Sequence, residues 1–207
     1  MCLYNIPALA ICFLLTLSAA ATNPAITPWS LQVLNDAPSP SNKGTTQWGI
    51  LSGGATGLAG GVREGDFWIL QFRWGKILTS PHAPGFLKGT IEYAFEVVPA
   101  MIIRQSSTVY GGGFNPLVLQ YNFTSHPKLT PYILMGGGML FTTDQVPADT
   151  SRFNFTPQGG AGIFLQMWDR KSLEFGVRYH HISNASTAPR NPGRNSLLLH
   201  MGFSWWR

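Results

Sequence analysis

The chain has 207 residues, enough for one domain with a short extension, and only 11% of them are charged. This fraction is less than half the roughly 25% usual in soluble domains. Aromatic residues reach 13% and glycines number 23, which favours a β-protein whose outer surface is not wholly aqueous over a soluble sandwich. The formal net charge of +5 favours an anionic membrane surface as the partner, and the export signal described next argues against nucleic acid.

Residues 1–21 have the features of a secretory signal peptide. An apolar stretch runs from Ile6 to Leu17 and is followed by small residues that suit signal peptidase. The stretch is too short for a membrane-spanning helix. Cys2 and Cys12 are the two cysteines of the chain and both lie in this segment. The exported chain is therefore expected to contain no disulfide, no thiolate metal site and no cysteine nucleophile.

Residues 22–46 are rich in Pro, Ser and Asn and predict an extended lead-in without a core of its own. From residue 47 onward, strand patterns alternate with turn residues. The predicted strands are 47–57, 67–77, 89–98, 109–123, 131–142, 153–167, 173–183 and 195–206. Several have about the 9–11 residues that a tilted strand needs to cross the hydrocarbon of a bilayer.

Both faces of these strands help to distinguish a soluble sandwich from a membrane barrel. One face carries large apolar side chains, as in Leu197, Leu199 and Met201 of the last strand. The other face combines small residues with polar and charged ones, which are Arg73, Glu92, Glu96, Gln120, Glu174 and Arg178. In a small barrel this face points inward, where opposite charges can pair in a confined lumen. The sequence therefore predicts an all-β fold at 47–207, an eight-stranded antiparallel transmembrane β-barrel in a bacterial outer membrane, reached by export through the periplasm.

The segment that carries candidate chemistry is His181-Ile182-Ser183-Asn184-Ala185, near the end of the penultimate predicted strand. Residues two apart on a strand share a face, so His181 and Ser183 can lie within hydrogen-bond reach. A hydroxyl is a poor nucleophile until a neighbouring imidazole takes its proton. Both residues are in register with the apolar face of the strand, and so we expect them to face lipid near the outer end, whereas His180 points into the lumen. The alternative interpretation is that they are ordinary interfacial polar residues at a strand end.

This motif, the Asn-Pro-Gly joint at 191–193 and the final strand ending in aromatic residues resemble the outer-membrane lipid A 3-O-deacylases (PagL-like, also labelled acyloxyacyl hydrolases). The resemblance implies an ester hydrolase that removes a fatty acyl chain from lipid A of lipopolysaccharide, in contact with outer-membrane lipid. It also implies that His181 is the general base and Ser183 the nucleophile. Asn184 can offer an amide donor to an oxyanion. Nothing in the sequence suggests a metal, and hydrolysis needs no organic cofactor.

The chain departs from this family at the residue that should orient the imidazole. The family has an acid twelve positions after the serine, and this chain has Asn195 there. Asn195 shares a face with Leu197 and the hairpin brings it beside Ser183. In a serine protease, the corresponding change from Asp to Asn cost on the order of 10⁴ in turnover. Glu174 is no substitute, because it points inward.

Two other interpretations therefore stay open beside lipid A hydrolysis. One is a non-catalytic structural or lipid-binding barrel, which the missing carboxylate motivates. The other is hydrolysis of a phospholipid or another lipid ester. The sequence does not determine the acyl position, the chain length or the oligomeric state.

Overall fold

Antiparallel strands close into a barrel in the computed structural model of the protein, which describes residues 39–207. The strands are β1 (Thr46–Gly57), β2 (Asp66–Ile77), β3 (Gly89–Arg104), β4 (Thr108–Phe123), β5 (Leu129–Thr142), β6 (Phe153–Phe155), β7 (Gln158–Trp168), β8 (Lys171–Ile182) and β9 (Arg194–Trp206). Strands adjacent along the chain pair with each other except β6 and β7, and β1 pairs with β9 to close the cylinder. The short β6 and the longer β7 both pair with β5 and together occupy one place, so that the barrel is eight-stranded, as predicted.

Most strand bounds agree with the prediction to within two residues, and two strands differ by more. β3 continues to Arg104 instead of ending at residue 98, because a register shift between Val98 and Met101 lets the strand carry Pro99, which has no N–H to donate. The predicted strand 153–167 is interrupted at Thr156 and Pro157. The amide of Thr156 still donates to the Gly138 carbonyl of β5 at 2.9 Å, so the interruption is a local break in one continuous wall.

The expected signal peptide at 1–21 lies outside the described residues, as does most of the expected lead-in at 22–46. The described part of the lead-in is attached to the barrel. Pro40 is buried, and its carbonyl accepts a hydrogen bond of 2.6 Å from the Thr90 hydroxyl of β3. The amide of Gly44 donates to the Ile77 carbonyl at 2.9 Å. A single 3-10 turn, Gly85–Leu87, lies between β2 and β3, and no helix of the described chain is long and apolar enough to span a bilayer.

The middle of the barrel interior carries a cluster of paired charges, and buried apolar side chains form two further clusters toward its ends. The Arg73 guanidinium contacts Glu92 at 3.0 Å and Glu96 at 2.9 Å, and Arg178 contacts the same Glu96 at 3.0 Å. These four side chains are at most 1% exposed. Because β3 and β8 lie on opposite sides of the closed cylinder, the pair of Glu96 and Arg178 crosses the bore. The charged face of the strands therefore points inward, as the alternation predicted.

The outward face carries the large apolar side chains that a soluble protein would bury. Among them are Ile50, Phe72, Leu119, Ile133, Val177 and Leu199. Each belongs to a different strand, so the exposed apolar surface runs round the cylinder as a continuous band. A band of this kind is the outward surface that transmembrane β-barrels present to lipid.

Candidate active site

His181 and Asn195 face each other across the β8–β9 ladder, on the outward surface. They are directly opposite in register, and His181 Nδ1 lies 2.6 Å from Asn195 Oδ1. An amide oxygen is only an acceptor, so that Nδ1 must carry the proton. The lone pair of the imidazole is then on Nε2, which hydrogen-bonds to no described residue. This is the tautomer that a general base next to a hydroxyl requires.

The orientation of the Asn195 amide is determined by a neighbouring loop, residues 58–65 between β1 and β2. The amide nitrogen donates to the carbonyl of Ala59 at 3.2 Å and to that of Gly60 at 2.8 Å. The amide oxygen accepts from the Tyr179 hydroxyl at 2.6 Å as well as from His181. Two donors and two acceptors surround this residue, so the nitrogen can point only to the loop and the oxygen only to the imidazole.

Ser183 follows His181 by two residues and is held by a strand-like pair although β8 ends at Ile182. Its amide donates to the Phe155 carbonyl at 3.1 Å, and its carbonyl accepts from the Phe155 amide at 2.7 Å. The neighbouring His181 amide donates to Pro157 at 3.0 Å. The break at Thr156 and Pro157 therefore still supports the outer end of β8. The Ser183 hydroxyl hydrogen-bonds to no residue of the described chain.

Gly193 lies beside the edge of the imidazole that carries Nε2. Its φ is +64°, and a Cβ at this position would lie 2.8 Å from His181 Cε1 and 3.4 Å from Nε2. Continuing the β8–β9 register by one pair beyond Ile182 and Arg194 sets Gly193 opposite Ser183. The free edge of the ring thus extends toward the level of the serine, into space that any larger residue at 193 would fill.

Asn184 is inward and 1% exposed, and its side chain binds within its own loop. Its amide nitrogen donates to the Arg190 carbonyl at 2.8 Å, and its amide oxygen accepts from the Ser186 amide at 2.9 Å. The amide would therefore reach a substrate oxygen only if the loop 183–193 rearranged. The oxyanion role predicted for Asn184 stays a prediction, while its contacts indicate a role in shaping this loop.

Two inward polar residues near the motif lie on the other side of the wall. His180 is buried and packs edge-on against the Phe67 ring, with the ring centres 5.2 Å apart. Glu174 is also buried and accepts a hydrogen bond of 2.7 Å from the Tyr132 hydroxyl. Both point into the lumen, as the parity of the strand predicted. In residues 39–207 no group of three His, Cys, Asp or Glu side chains is arranged to hold a metal ion.

Sequence reasoning missed three contributors to the site. Tyr179 shares the outward face of β8 with His181, so that parity could have indicated it. Gly193 was recognised only as part of the Asn-Pro-Gly joint. The carbonyls of Ala59 and Gly60 left no signal in the sequence, because a backbone contact does not require a particular side chain.

The fold and the outward cluster define the class of protein: an outer-membrane β-barrel with a polar site on its lipid-facing surface. A family model described as lipid A 3-O-deacylase (PagL) matches residues 66–204, from β2 into β9, a range that contains His181, Ser183 and Asn195. The chain belongs to this lipid A 3-O-deacylase family.

A solved structure agrees on the fold. The chain is similar to the crystal structure of the outer membrane enzyme PagL, with a TM-score of 0.57 and 20% identity, over 75% of this chain and 97% of that one. The N-terminal β-barrel domain of Pseudomonas aeruginosa OprF was also found, with a TM-score of 0.49 and 13% identity, over 80% of this chain and 98% of that domain. A search of curated protein sequences found no match.

Proposed function

We propose that the protein is an ester hydrolase that removes a fatty acyl chain from lipid A, with Ser183 as nucleophile, His181 as general base and Asn195 as the residue that orients the imidazole. The carrying observation is the hydrogen bond of 2.6 Å between His181 Nδ1 and Asn195 Oδ1, on the same outward face as Ser183. This hydrogen bond leaves Nε2 free to take a proton from a hydroxyl. Membership of the lipid A 3-O-deacylase family supports lipid A as the substrate.

The reaction proceeds in two steps. Ser183 Oγ attacks the ester carbonyl carbon while its proton passes to His181 Nε2, and the C–O bond to the sugar breaks as the sugar oxygen takes that proton back. A water then attacks the acyl-serine ester with His181 again as base, which releases the fatty acid and restores the hydroxyl. The imidazolium that forms in each step still donates its Nδ1 proton in a hydrogen bond to Asn195 Oδ1.

A neutral amide stabilises this imidazolium less than a carboxylate does, since it offers a dipole and no charge. The contacts of Asn195 offset part of the difference. Both amide hydrogens are engaged by the carbonyls of Ala59 and Gly60, which polarises the amide and makes Oδ1 a stronger acceptor. Because the amide is already fixed, no reorganisation is needed when the charge appears on the ring. We infer a slow but functional hydrolase.

The depth of the site supports a substrate bond in the headgroup region. His181 lies ten residues along β8 from Lys171, which is level with Trp205 near the end that carries the chain terminus. At about 3.3 Å per residue and a strand tilt of about 40°, ten residues span roughly 25 Å along the barrel axis. That height equals the apolar band of outer-membrane barrels, so the two levels fall at opposite faces of the hydrocarbon.

A shallow tract beside the site supports an acyl substrate. Its floor consists of the outward Gly159 and Ala161 of β7. On one side Gly159 pairs with Tyr179 and on the other with Met135, both of which project further. A Cβ on Gly159 would meet no atom closer than 3.7 Å, so the space above the floor is open. An acyl chain lying along this tract would bring its ester end toward His181 and Ser183.

The test is acyl release from purified lipopolysaccharide, followed by mass spectrometry of lipid A and of the free fatty acid. The full chain is refolded in detergent or vesicles, as wild type, Ser183→Ala and Ser186→Ala. Ser186 is a matched control, because it is a serine three residues away in the same outer loop. We expect release by the wild type and by Ser186→Ala, and none by Ser183→Ala. Equal release by all three would eliminate the mechanism.

A non-catalytic lipid-binding barrel is the second candidate, and the specific observation that favours it is the amide in place of a carboxylate at residue 195. The same experiment separates the two functions. Retention of lipopolysaccharide by the wild type and by both variants, with no acyl release from any of them, would support the second candidate.

A further inference from the structure

The net positive charge of the described chain is concentrated at the end of the barrel that carries the chain terminus, opposite the candidate active site. We call this the basic end. Its exposed cationic residues are Lys43, Lys76, Lys88, Lys128, Arg170, Lys171 and Arg207. They occur at every strand connection of that end, from the start of β1 to the end of β9. Asp169 is the exposed acidic residue of the same end. None of these seven side chains forms an ion pair with another described residue.

Charges elsewhere in the described chain cancel. At the end that carries the active site, four exposed arginines face four exposed acids; the residues are Arg63, Arg104, Arg152, Arg190, Glu64, Asp66, Asp144 and Asp149. Two of these arginines pair directly, Arg152 with Asp144 at 3.6 Å and Arg190 with Asp149 at 3.4 Å. In the lumen three arginines are matched by three glutamates. The excess at the basic end is therefore a local property of that surface.

A row of outward residues crosses five neighbouring strands at the same level. In order round the barrel it consists of Trp74, Trp48, Trp205, Lys171 and Trp168, each directly opposite the next in register. We call it the tryptophan row. Indole rings in such a row lie at the boundary between hydrocarbon and headgroups, because their flat apolar body and their N–H prefer that boundary. Lys171, flanked by two of them, is thereby held at headgroup depth.

The surface at Lys171 is concave. An open depression of about 700 Å³ is lined by Trp168, Asp169, Lys171 and Phe203. Its lysine has no carboxylate partner among the described residues, and Arg170 lies in the adjoining two-residue turn. Aromatic walls with two cations, Lys171 and Arg170, against the one carboxylate of Asp169 match the phosphate of a lipid headgroup with its first acyl carbons.

We propose that the basic end binds anionic phospholipid headgroups of the inner leaflet, with Lys171 between Trp168 and Trp205 as the principal contact. The assignment to the inner leaflet rests on the proposed function, because that function requires the opposite end to lie among lipopolysaccharide. The contact with headgroups rests on the charge of the basic end and on the register of the tryptophan row. Bound phospholipid would fix the depth of the barrel, and hence the height at which Ser183 meets its ester.

The test compares two charge-matched double variants of the full chain. Lys76→Gln/Lys171→Gln removes two cations of the basic end, and Arg63→Gln/Arg104→Gln removes two exposed cations of the other end. Each protein is reconstituted in vesicles of equal phosphatidylglycerol and phosphatidylcholine, and native mass spectrometry counts the lipids retained. We expect the wild type to retain phosphatidylglycerol preferentially, and the preference to fall about fivefold per lysine removed. The arginine variant should keep the preference.

Loss of the preference in both double variants, or no preference in the wild type, would overturn the proposal. The outcome is separable from the hydrolase proposal, because acyl release is measured on the same protein samples after purified lipopolysaccharide is added. Acyl release without phosphatidylglycerol preference rejects headgroup binding alone, and preference without acyl release rejects the hydrolase alone.

Discussion

The Asn195 amide accepts the Nδ1 proton of His181 at 2.6 Å while it donates to the Gly60 carbonyl at 2.8 Å. Asn195 is thus bound from two sides, by the imidazole and by a loop of another hairpin. The β1–β2 loop is consequently part of the candidate site, to which it contributes the backbone carbonyls of Ala59 and Gly60. Most of the predictions that follow depend on this relationship.

Asn195→Asp should be no more active than the wild type. A carboxylate would strengthen the bond to His181, yet its second oxygen would lie where the amide now donates to the Ala59 and Gly60 carbonyls, at 3.2 and 2.8 Å. Two hydrogen bonds would become two repulsive contacts, each costing on the order of 1 kcal/mol or more. Initial rates and thermal midpoints of the two proteins provide the measurement. A variant ten times faster than the wild type would show that the charge outweighs the loop contacts.

Gly60→Ala should lower turnover about tenfold without touching His181 or Ser183. Its φ is +92°, and the added Cβ would lie 2.9 Å from Asn195 Nδ2, so that the amide must shift. Gly44→Ala is the matched control, since its φ is +87° and its Cβ would meet nothing within 4 Å. Both substitutions bear a similar backbone strain of about 1 kcal/mol. Equal turnover of the two variants on lipopolysaccharide, at similar thermal midpoints, would contradict a role for the loop in positioning the amide.

Gly159→Phe should slow acyl release from lipopolysaccharide by tenfold or more, because the ring would occupy the tract beside Tyr179. Hydrolysis of a short acetyl ester should be unchanged, since an acetyl group does not reach along β7. Gly54→Phe is the control: Gly54 is an outward glycine of β1 whose added Cβ would have no neighbour within 4 Å. If both variants slow release equally, the acyl chain does not lie along β7.

Glu96→Ala should destabilise the barrel by about 3–5 kcal/mol while leaving the activity of the folded fraction unchanged. The substitution leaves Arg178, now paired with Glu96 at 3.0 Å, without a carboxylate partner, and leaves Arg73 with Glu92 alone, so that a positive charge in the closed interior is no longer compensated. Asp144→Ala, at an exposed pair, should change stability by less than about 1 kcal/mol. Urea unfolding monitored by the gel shift between folded and unfolded barrel would measure both. Similar unfolding midpoints for these two variants would refute the importance of the pair across the bore.

Strand periodicity, together with the low charge and the apolar N-terminal segment, predicted the fold, and periodicity also predicted which residues of the candidate site share a face. Alternation alone assigned Arg73 and Glu96 to the lumen and His181 to the outer surface, because a side chain's face depends only on its parity. Pairing of β8 with β9 then brought Asn195 opposite His181. The parity of a residue along a strand does not predict the conformation of a loop. The contacts from the Ala59 and Gly60 carbonyls therefore could not be predicted.

The break at Pro157 was not predicted. The sequence analysis gave one strand where the structure has β6 and β7, although a proline inside a strand is itself a signal for an interruption. Pro157 lacks an amide hydrogen, but its carbonyl still accepts from the His181 amide. The hydrogen-bonded wall beside His181 is thereby preserved by a backbone contact, which a pattern of side chains does not predict.

Ion pairs cross the bore, and an internal cavity beside Gln71, Asn115 and His180 measures only about 20 Å³, room for one water molecule. The substrate must therefore reach Ser183 along the outside of the barrel, by lateral diffusion within the membrane. Turnover in such a two-dimensional system follows the mole fraction of lipopolysaccharide in the surface and not its bulk molarity. Diluting the substrate with inert lipid should slow the enzyme, whereas adding water to the same vesicles should not.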